Sequence, residues 1–249
     1  LDEQTHIDIF SGIGGFAVAA SWAGYTSRVF CEQDAYCTKV LKRHWPDVPV
    51  IRDIRDFDGS KWRGSRLLTG GFPCQPFSIC GEHRGKEDDR YLWPEMLRVI
   101  EEARPAWVVA ENVTGIITVA LDEVLSQLAS LRYSCGVCVL PACAVNAPHR
   151  RDRVWIIAAD TSGKRLQGSE EAGDNGEDWP ELRDKQFARF SGVEGWNKFP
   201  TVAAVCGRDD GIRNRIQRIK ALGNSIVPQV AYEILKLTTP NPIEKNKHG

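Results

Sequence analysis

The sequence predicts an α/β protein: a doubly wound, mixed but mostly parallel sheet with a small loop-rich second domain. Three observations predict it. Short apolar strands alternate with helical segments from residue 6 to residue 54, the β-α-β-α-β order of a parallel sheet. The alternation runs on through two more strands and closes with two consecutive ones, an antiparallel pair at one edge. At about Asp160 the pattern stops, and an acidic, glycine-dotted stretch without periodicity begins.

The first strand is His6-Ile7-Asp8-Ile9-Phe10, broken by Ser11-Gly12-Ile13-Gly14-Gly15. Phe16 to Ala23 reads as a helix ended by Gly24, because glycine there favours termination. Arg28 to Glu32 is a second strand, Asp34 to His44 a second helix and Val50 to Ile54 a third strand. Arg66 to Gly70 reads as a strand, and Gly71-Phe72-Pro73-Cys74-Gln75-Pro76 as a loop, since two prolines flank the cysteine. Tyr91 to Ala103 is a helix, and Trp107-Val108-Val109-Ala110-Glu111 an apolar strand ending in a carboxylate. Leu121, Val124, Leu125 and Leu128 recur at helical spacing within Leu121 to Leu131. Cys135 to Leu140 and Val154 to Ala159 are the antiparallel pair. Ala221 to Pro228 reads as a loop into a last helix, Pro228 to Leu237, which returns to pack beside the first.

At about 150 residues per domain, 249 residues predict one to two domains. Residues 1–159 with 219–238 form the larger, 160–218 the smaller, and 239–249 a flexible tail. Lys and Arg number 32 against 33 Asp and Glu, with 42% hydrophobic and 26% charged residues. Such balance excludes a disordered chain, a collagen-like chain and a wholly basic nucleic-acid coat. A local basic patch still suffices for nucleic-acid binding. From 208 onward the sign turns basic, with Arg208, Arg213, Arg215, Arg218 and Lys220. No apolar run approaches the roughly 18 residues of a membrane helix, and the first residues show no signal-peptide pattern. Eight irregularly spaced cysteines read as reduced thiols, so the expected place is the cytoplasm.

The strand-Ser11-Gly12-Ile13-Gly14-Gly15-helix segment is a nucleotide-type loop: glycines admit a ligand to the backbone, and the helix start offers free N–H groups. Glu32, ending the second strand, suits a ribose diol, and Asp53, after the third, an adenine amino group. The loop is neither Gly-x-Gly-x-x-Gly nor a P-loop, which favours S-adenosyl-L-methionine over NAD and ATP. Cys74 lies on a loop at the ligand-binding edge of such a sheet, where a thiolate can act as nucleophile. Glu111, at the rim of its strand, is a candidate general acid. Alternation puts Arg151 and Arg153 on one face, toward a phosphate or a base carbonyl. Cys135-x-x-Cys138-x4-Cys143 has no second Cys pair and alternates like a strand, so no metal is expected.

Together these runs resemble the C5-cytosine-specific DNA methyltransferases, and among them the compact members of phages and prophages. The matching runs are Asp8-Ile9-Phe10-Ser11-Gly12-Ile13-Gly14-Gly15, Glu32, Asp53-Ile54, Gly71-Phe72-Pro73-Cys74-Gln75-Pro76-Phe77-Ser78, Glu111-Asn112-Val113, Arg151-x-Arg153 and Gly223-Asn224-Ser225. They cover about residues 6–159 and 219–237. The resemblance implies the S-adenosylmethionine-dependent methyltransferase fold and transfer of a methyl group to C5 of a flipped cytosine. Cys74 would attack C6, Glu111 would hold or protonate N3, Arg153 would bind O2 with Arg151 beside it, and Pro73 would fix the approach to the base. Phe10, Gly12, Gly14, Glu32, Asp53, Ile54, Leu92, Asn224, Ser225 and Ile226 would hold the cofactor. Gln75 and Ser78, with Arg208, Arg213, Arg215 and Arg218, would meet DNA, and Ile79 to Asp89 would form a lid.

The partners implied are double-stranded DNA and, in a restriction–modification pair, a cognate restriction endonuclease acting on the same site. A monomer without a membrane partner is expected, in a bacterial or phage-infected cell. Two departures stand out. Gln33 occupies a position where many members carry a large aromatic, and only about 60 residues separate Ala159 from Ile219 for target recognition. Three other readings compete. A tRNA-directed member shares the Cys and Glu, but its Cys-Phe-Thr signature is not found. A catalytically silent DNA-binding relative is disfavoured by the intact Cys74, Glu111 and Arg153. A dehydrogenase leaves Pro73-Cys74-Gln75 and Glu111-Asn112-Val113 unexplained.

Overall fold

A computed structural model of the chain describes residues 4–73, 91–162 and 215–239. Its centre is a seven-stranded sheet. The strands are β1 (Thr5–Ile9), β2 (Thr26–Cys31), β3 (Val50–Ile51), β4 (Leu67–Gly70), β5 (Trp107–Asn112), β6 (Tyr133–Pro141) and β7 (Asp152–Asp160). Their order across the sheet is β3-β2-β1-β4-β5-β7-β6. The first five strands run parallel, whereas β7 is antiparallel to both β5 and β6. The mixed, mostly parallel sheet with an antiparallel edge pair is the one expected from the sequence.

Helices cover both faces, and the strand alternation decides which residues meet them. On one face Ile7, Ile9, Leu68, Val108, Ala110 and Ile156 pack with α3 (Trp93–Ala103), the short α4 (Ile116–Val119) and α5 (Leu121–Ser130). On the other, Leu67, Val109 and Trp155 pack with α1 (Gly15–Trp22) and α7 (Pro228–Leu235). Phe16 of α1 meets the Trp155 ring edge-on at 6.0 Å. Each fully buried Leu, Ile or Val contributes about 1.5–3 kcal/mol of transfer free energy. The last helix does return beside the first, and Tyr25, just after α1, donates its hydroxyl to the Thr238 carbonyl at 2.8 Å. α2 (Ala35–His44) is capped by Asp34, whose carboxylate accepts from the Tyr36 and Cys37 amides.

Three boundaries differ from the sequence reading. The third strand holds two residues, not five, because Asp53 accepts from the Arg55 amide and turns the chain into a 3₁₀ segment, Ile54–Asp56. The loop expected over Ala221 to Asn224 is instead the end of α6 (Arg215–Asn224). Gly223 and Asn224 are helix breakers in an interior but are tolerated in a last turn, so they mark the end of a helix rather than its absence. The last helix gives way after Leu235 to a 3₁₀ turn, Lys236–Thr238. The expected domain boundary at 218/219 falls inside α6. Cys135 pairs with Ala158 and Cys138 with Trp155, residues of opposite sheet faces, so these two thiols do not share a ligand.

The chain winds outward from β1 through β2 to β3, then returns to β4 on the other side. The order therefore reverses between β1 and β4. In open α/β sheets, the crevice beyond the carboxyl ends of the strands at such a switch point is where ligands bind.

Candidate active site

Two groups of side chains stand at that edge, one on each side of the switch point. The first is built on the exits of β1 and β2. Phe10 leaves β1 at φ +54, a left-handed conformation uncommon for a non-glycine residue. The Ser11 hydroxyl donates to the Asp8 carbonyl at 2.7 Å, and the Ser11 amide to the Cys31 carbonyl at 3.0 Å. These bonds hold the glycine loop over β2. Gly12, at φ +55, has open space where a side chain would stand. Gly14 does not: a Cβ there would lie 2.6 Å from the Trp45 ring. Its missing side chain makes room for Trp45 rather than for a ligand.

Glu32 follows β2 directly. Its two carboxylate oxygens accept from the Gly12 and Asp34 amides, each at 2.7 Å. Burial pushes its pKa up, and the two amide bonds partly offset that shift. Each oxygen keeps a second lone pair that can accept from a hydroxyl. Asp53 caps the 3₁₀ turn, with Oδ1 2.9 Å from the Arg55 amide. Ile54 is buried in the core at 4% exposure, so its side chain offers little surface to an adenine ring. Leu92 packs on the same core cluster and precedes α3.

Arg98 of α3, which sequence reasoning missed, holds the Asp53–Phe57 turn. Its guanidinium donates to the Ile54 carbonyl at 2.7 Å and the Phe57 carbonyl at 2.9 Å. Glu95 and Glu102 of α3 pair with it at 2.9 and 2.8 Å. The Glu95-x-x-Arg98-x-x-x-Glu102 spacing could have marked a braced arginine, but not its target.

The second group stands on the exits of β4, β5 and the start of β7. Glu111 of β5 is buried and pairs with Arg153 of β7, Oε1 to Nε at 2.8 Å. The antiparallel register makes this pair: Glu111 lies opposite Trp155, two residues from Arg153. Burial pushes the Glu111 pKa up, and the positive charges of Arg153 and Arg151 pull it partly back. The β4 exit is tied to the same place. Asn112 Nδ2 donates to the Phe72 carbonyl at 3.0 Å, and a Cβ on Gly71 would stand 3.2 Å from Glu111 Oε2. Pro73 follows. Arg151 lies one residue before β7 at φ +42, so strand alternation does not govern it. Its guanidinium donates to the Gly223 and Ser225 carbonyls at 2.9 and 2.6 Å. Ser225 and Ile226 rest on Gly15, and Asn224 ends α6.

The structure thus gathers Phe10, Gly12, Glu32 and Asp53 on one side, with Glu111, Arg153 and Pro73 on the other. Cys74, Gln75, Ser78, Arg208 and Arg213 lie outside the described residues, as do the expected lid and most of the 160–218 insert. The backbone places Arg215 and Arg218 on α6. Among the described residues, no cluster of three His, Cys, Asp or Glu could hold a metal ion, and no helix is long and apolar enough to cross a membrane.

A switch-point crevice of this kind, with a strand-end carboxylate beside a glycine loop and a buried Glu–Arg pair beyond it, places the chain among the open α/β proteins whose ligand-binding edge lies at the carboxyl ends of the strands. The particular family follows from comparison. The profile of C-5 cytosine-specific DNA methylases matches residues 4–184, and the chain belongs to that family. It is 33% identical over 159 residues to the type II methyltransferase M.NgoMIV of Neisseria gonorrhoeae, covering 62% of this chain and 51% of that one. It is 34% identical over 187 residues to M.AquIA of Picosynechococcus, covering 66% and 75%. The chain thus spans about half the length of the first and three quarters of the second. A putative DNA modification methyltransferase encoded within an E. coli prophage has the same fold, with a TM-score of 0.54 at 23% identity, over 64% of this chain and 47% of that one.

Proposed function

We propose that the chain methylates C5 of cytosine in double-stranded DNA, with S-adenosyl-L-methionine as donor. The observation that carries this reading is the buried Glu111–Arg153 pair tied through Asn112 and Gly71 to the β4 exit, one strand away from the Gly12–Glu32 site. The residues fit the donor. Gly12 leaves open space beside the backbone, and Glu32 is fixed by two amides with lone pairs to spare for a ribose diol. Ser225 and Ile226, which lie against Gly15, would complete the cofactor's surroundings together with Phe10 and Asp53. When bound, the sulfonium supplies an electrophilic methyl group.

The chain's own groups do the rest. Cytosine C5 is a poor nucleophile, and a thiolate adding to C6 makes it a good one. Cys74, directly after Pro73, is that thiolate. Addition at C6 sends charge toward N3, where a proton must meet it. Glu111, whose burial favours the protonated form, donates that proton. Arg153 holds the carboxyl in place and reaches the base O2. After transfer, water takes the C5 proton, N3 returns its proton to Glu111 and the C6–S bond breaks to release Cys74 as thiolate, which restores the ring. A base inside a duplex cannot present C6 to a thiolate, so it is flipped out. Residues 1–159 with 219–238 carry this chemistry, and 160–218 reads the sequence. A type II relative implies a restriction endonuclease of the same specificity as a partner.

Bisulfite sequencing of DNA and RNA from a methylation-free host expressing the wild-type chain or Cys74→Ser tests the reading. Unconverted cytosines in one DNA context, absent with Cys74→Ser, are expected. Protection confined to tRNA overturns the DNA assignment. Protection that survives in Cys74→Ser removes Cys74 as the nucleophile.

A further inference from the structure

We infer that Arg151 is a positioning residue of the cofactor side: its guanidinium fastens the turn after α6, so that Ser225 and Ile226 lie against the glycine loop. The inference rests on the reading of that loop as a cofactor site.

The geometry is specific. α6 ends at Asn224, and the last four carbonyls of a helix lack partners within it. Arg151 Nη2 donates to the Gly223 carbonyl in that last turn and to the Ser225 carbonyl just beyond. A cation there also faces the negative end of the helix dipole. The bond holds the turn across a wide sequence gap, from the start of β7 to the approach of α7. The Ser225 amide meanwhile donates to the Leu222 carbonyl at 3.3 Å, which closes the turn from inside.

The held turn bears on the cofactor loop. A Cβ on Gly15 would stand 2.8 Å from Ile226 Cγ1 and 3.1 Å from Ser225 Oγ. Gly15 is the first residue of α1, three residues after Gly12. A shift of this turn therefore opens or tightens the wall beside Gly12. Arg151 itself is braced. It sits at φ +42, a conformation strained for a non-glycine residue that persists where the surroundings fix it. The Ala142 amide, opening a 3₁₀ turn, donates to the Arg150 carbonyl at 2.6 Å and reaches the Arg151 carbonyl at 3.3 Å.

Two arginines two residues apart thus serve different halves of the site. Arg153 engages Glu111 on the base side, and Arg151 engages the turn on the cofactor side. Both line one small cavity, together with Trp155 and Ile226. A lysine at 151 keeps the charge and can donate twice from one nitrogen, as Nη2 does, but its arm is one bond shorter, so it reproduces the clasp in part.

The full chain, with Arg151→Met, Arg151→Lys and the control Arg150→Met, tests this by two readouts. Hydrogen exchange follows the amides of residues 223–227, and calorimetry follows binding of S-adenosylhomocysteine. Arg151→Met is expected to speed exchange at these amides at least tenfold and to weaken binding at least tenfold. Arg151→Lys is expected to fall between it and wild type. Arg150→Met, at an exposed side chain that pairs with Asp152 and not with the turn, is expected to leave both readouts within about threefold of wild type. Unchanged exchange in Arg151→Met overturns the clasp. Faster exchange with unchanged affinity overturns its link to the cofactor side. Should Arg151→Met not fold, Arg151→Lys decides by the same two readouts. A wild-type chain that binds no S-adenosylhomocysteine defeats the cofactor reading itself, and the inference with it, whereas its exchange data still show whether the clasp exists.

Discussion

A methyl group at position 14 would stand 2.6 Å from Cζ3 and 2.7 Å from Cη2 of Trp45, well inside carbon–carbon contact. The backbone there sits at φ +90, which L side chains rarely adopt. Gly14→Ala is therefore expected to destabilise the fold by about 2–4 kcal/mol, measured by urea unfolding. Pairing it with Trp45→Leu should recover the part due to the clash and leave the part due to φ. Full additivity of the two substitutions would show that Trp45 is not what excludes the side chain. The glycine was legible as a loop residue, but its reason was not, because Trp45 comes from 31 positions further along the chain. The same holds for Glu111. A strand-end carboxylate is visible in the sequence, whereas its pairing with Arg153 depends on the β5–β7 register, which no local pattern specifies. Cys74 is the reverse case: the loop it occupies was read from two flanking prolines, and its role rests on sequence alone.

Among the elements, α3 shows how a helix outside the switch point can set its geometry. This helix was legible as Tyr91 to Ala103, and its Trp93, Met96, Val99, Ile100 and Ala103 are buried. Its polar face matters as well. Arg98 carries two backbone carbonyls of the 53–57 turn and two carboxylates of its own helix. The side chain is one-third exposed, so solvent screens part of each ion pair. The bonds to the two carbonyls are the larger loss on removal, at about 1–3 kcal/mol. Arg98→Met should keep the helix packing, lower the melting temperature by several degrees and speed exchange of the Asp56 and Phe57 amides, which donate to Asp53 and Ile54. Unchanged exchange there would mean that Asp53 holds the turn without help. The turn was read as strand because Val50 to Ile54 is rich in β-branched residues. The Asp53 cap overrode that preference. α6 escaped for the opposite reason: its closing Gly-Asn suggested a loop, and its cohesion depends on a carbonyl partner, Arg151, from a distant strand.

For the molecule as a whole, the buried polar chain beneath α1 ties folding stability to pH. His6 and Asp8 sit on one face of β1, both fully buried, and Thr69 of β4 lies between them. His6 Nε2 is 2.7 Å from Thr69 Oγ1, which donates to Asp8 Oδ1 at 2.9 Å; His6 Nδ1 is 2.9 Å from Ser27 Oγ. Among the described residues Asp8 Oδ2 has no hydrogen-bond partner. Burial pushes the Asp8 pKa from 3.8 up to about 8 and the His6 pKa from 6.5 down to about 3. Folding therefore favours a protonated Asp8 and a neutral His6. Between about pH 4 and 6.5 the unfolded chain holds its proton on His6 and the folded chain on Asp8, so these two groups contribute no net slope. From pH 6.5 to about 8 the unfolded chain has released both protons while the folded chain keeps one, and stability falls by about 1.4 kcal/mol per pH unit. Below about pH 4 the unfolded chain binds one proton more, and stability falls again as pH drops. Asp8→Asn removes the alkaline fall and leaves His6 alone, whose stabilisation is lost as pH drops from 6.5 toward 3. The difference in unfolding free energy between wild type and Asp8→Asn, measured by urea titration from pH 5 to 9, isolates Asp8 from every other titrating group. It should shift steadily in favour of the variant up to about pH 8 and level off above it. A difference that stays constant across that range would show that Asp8 is already ionised in the folded protein, with Oδ2 satisfied by a buried water.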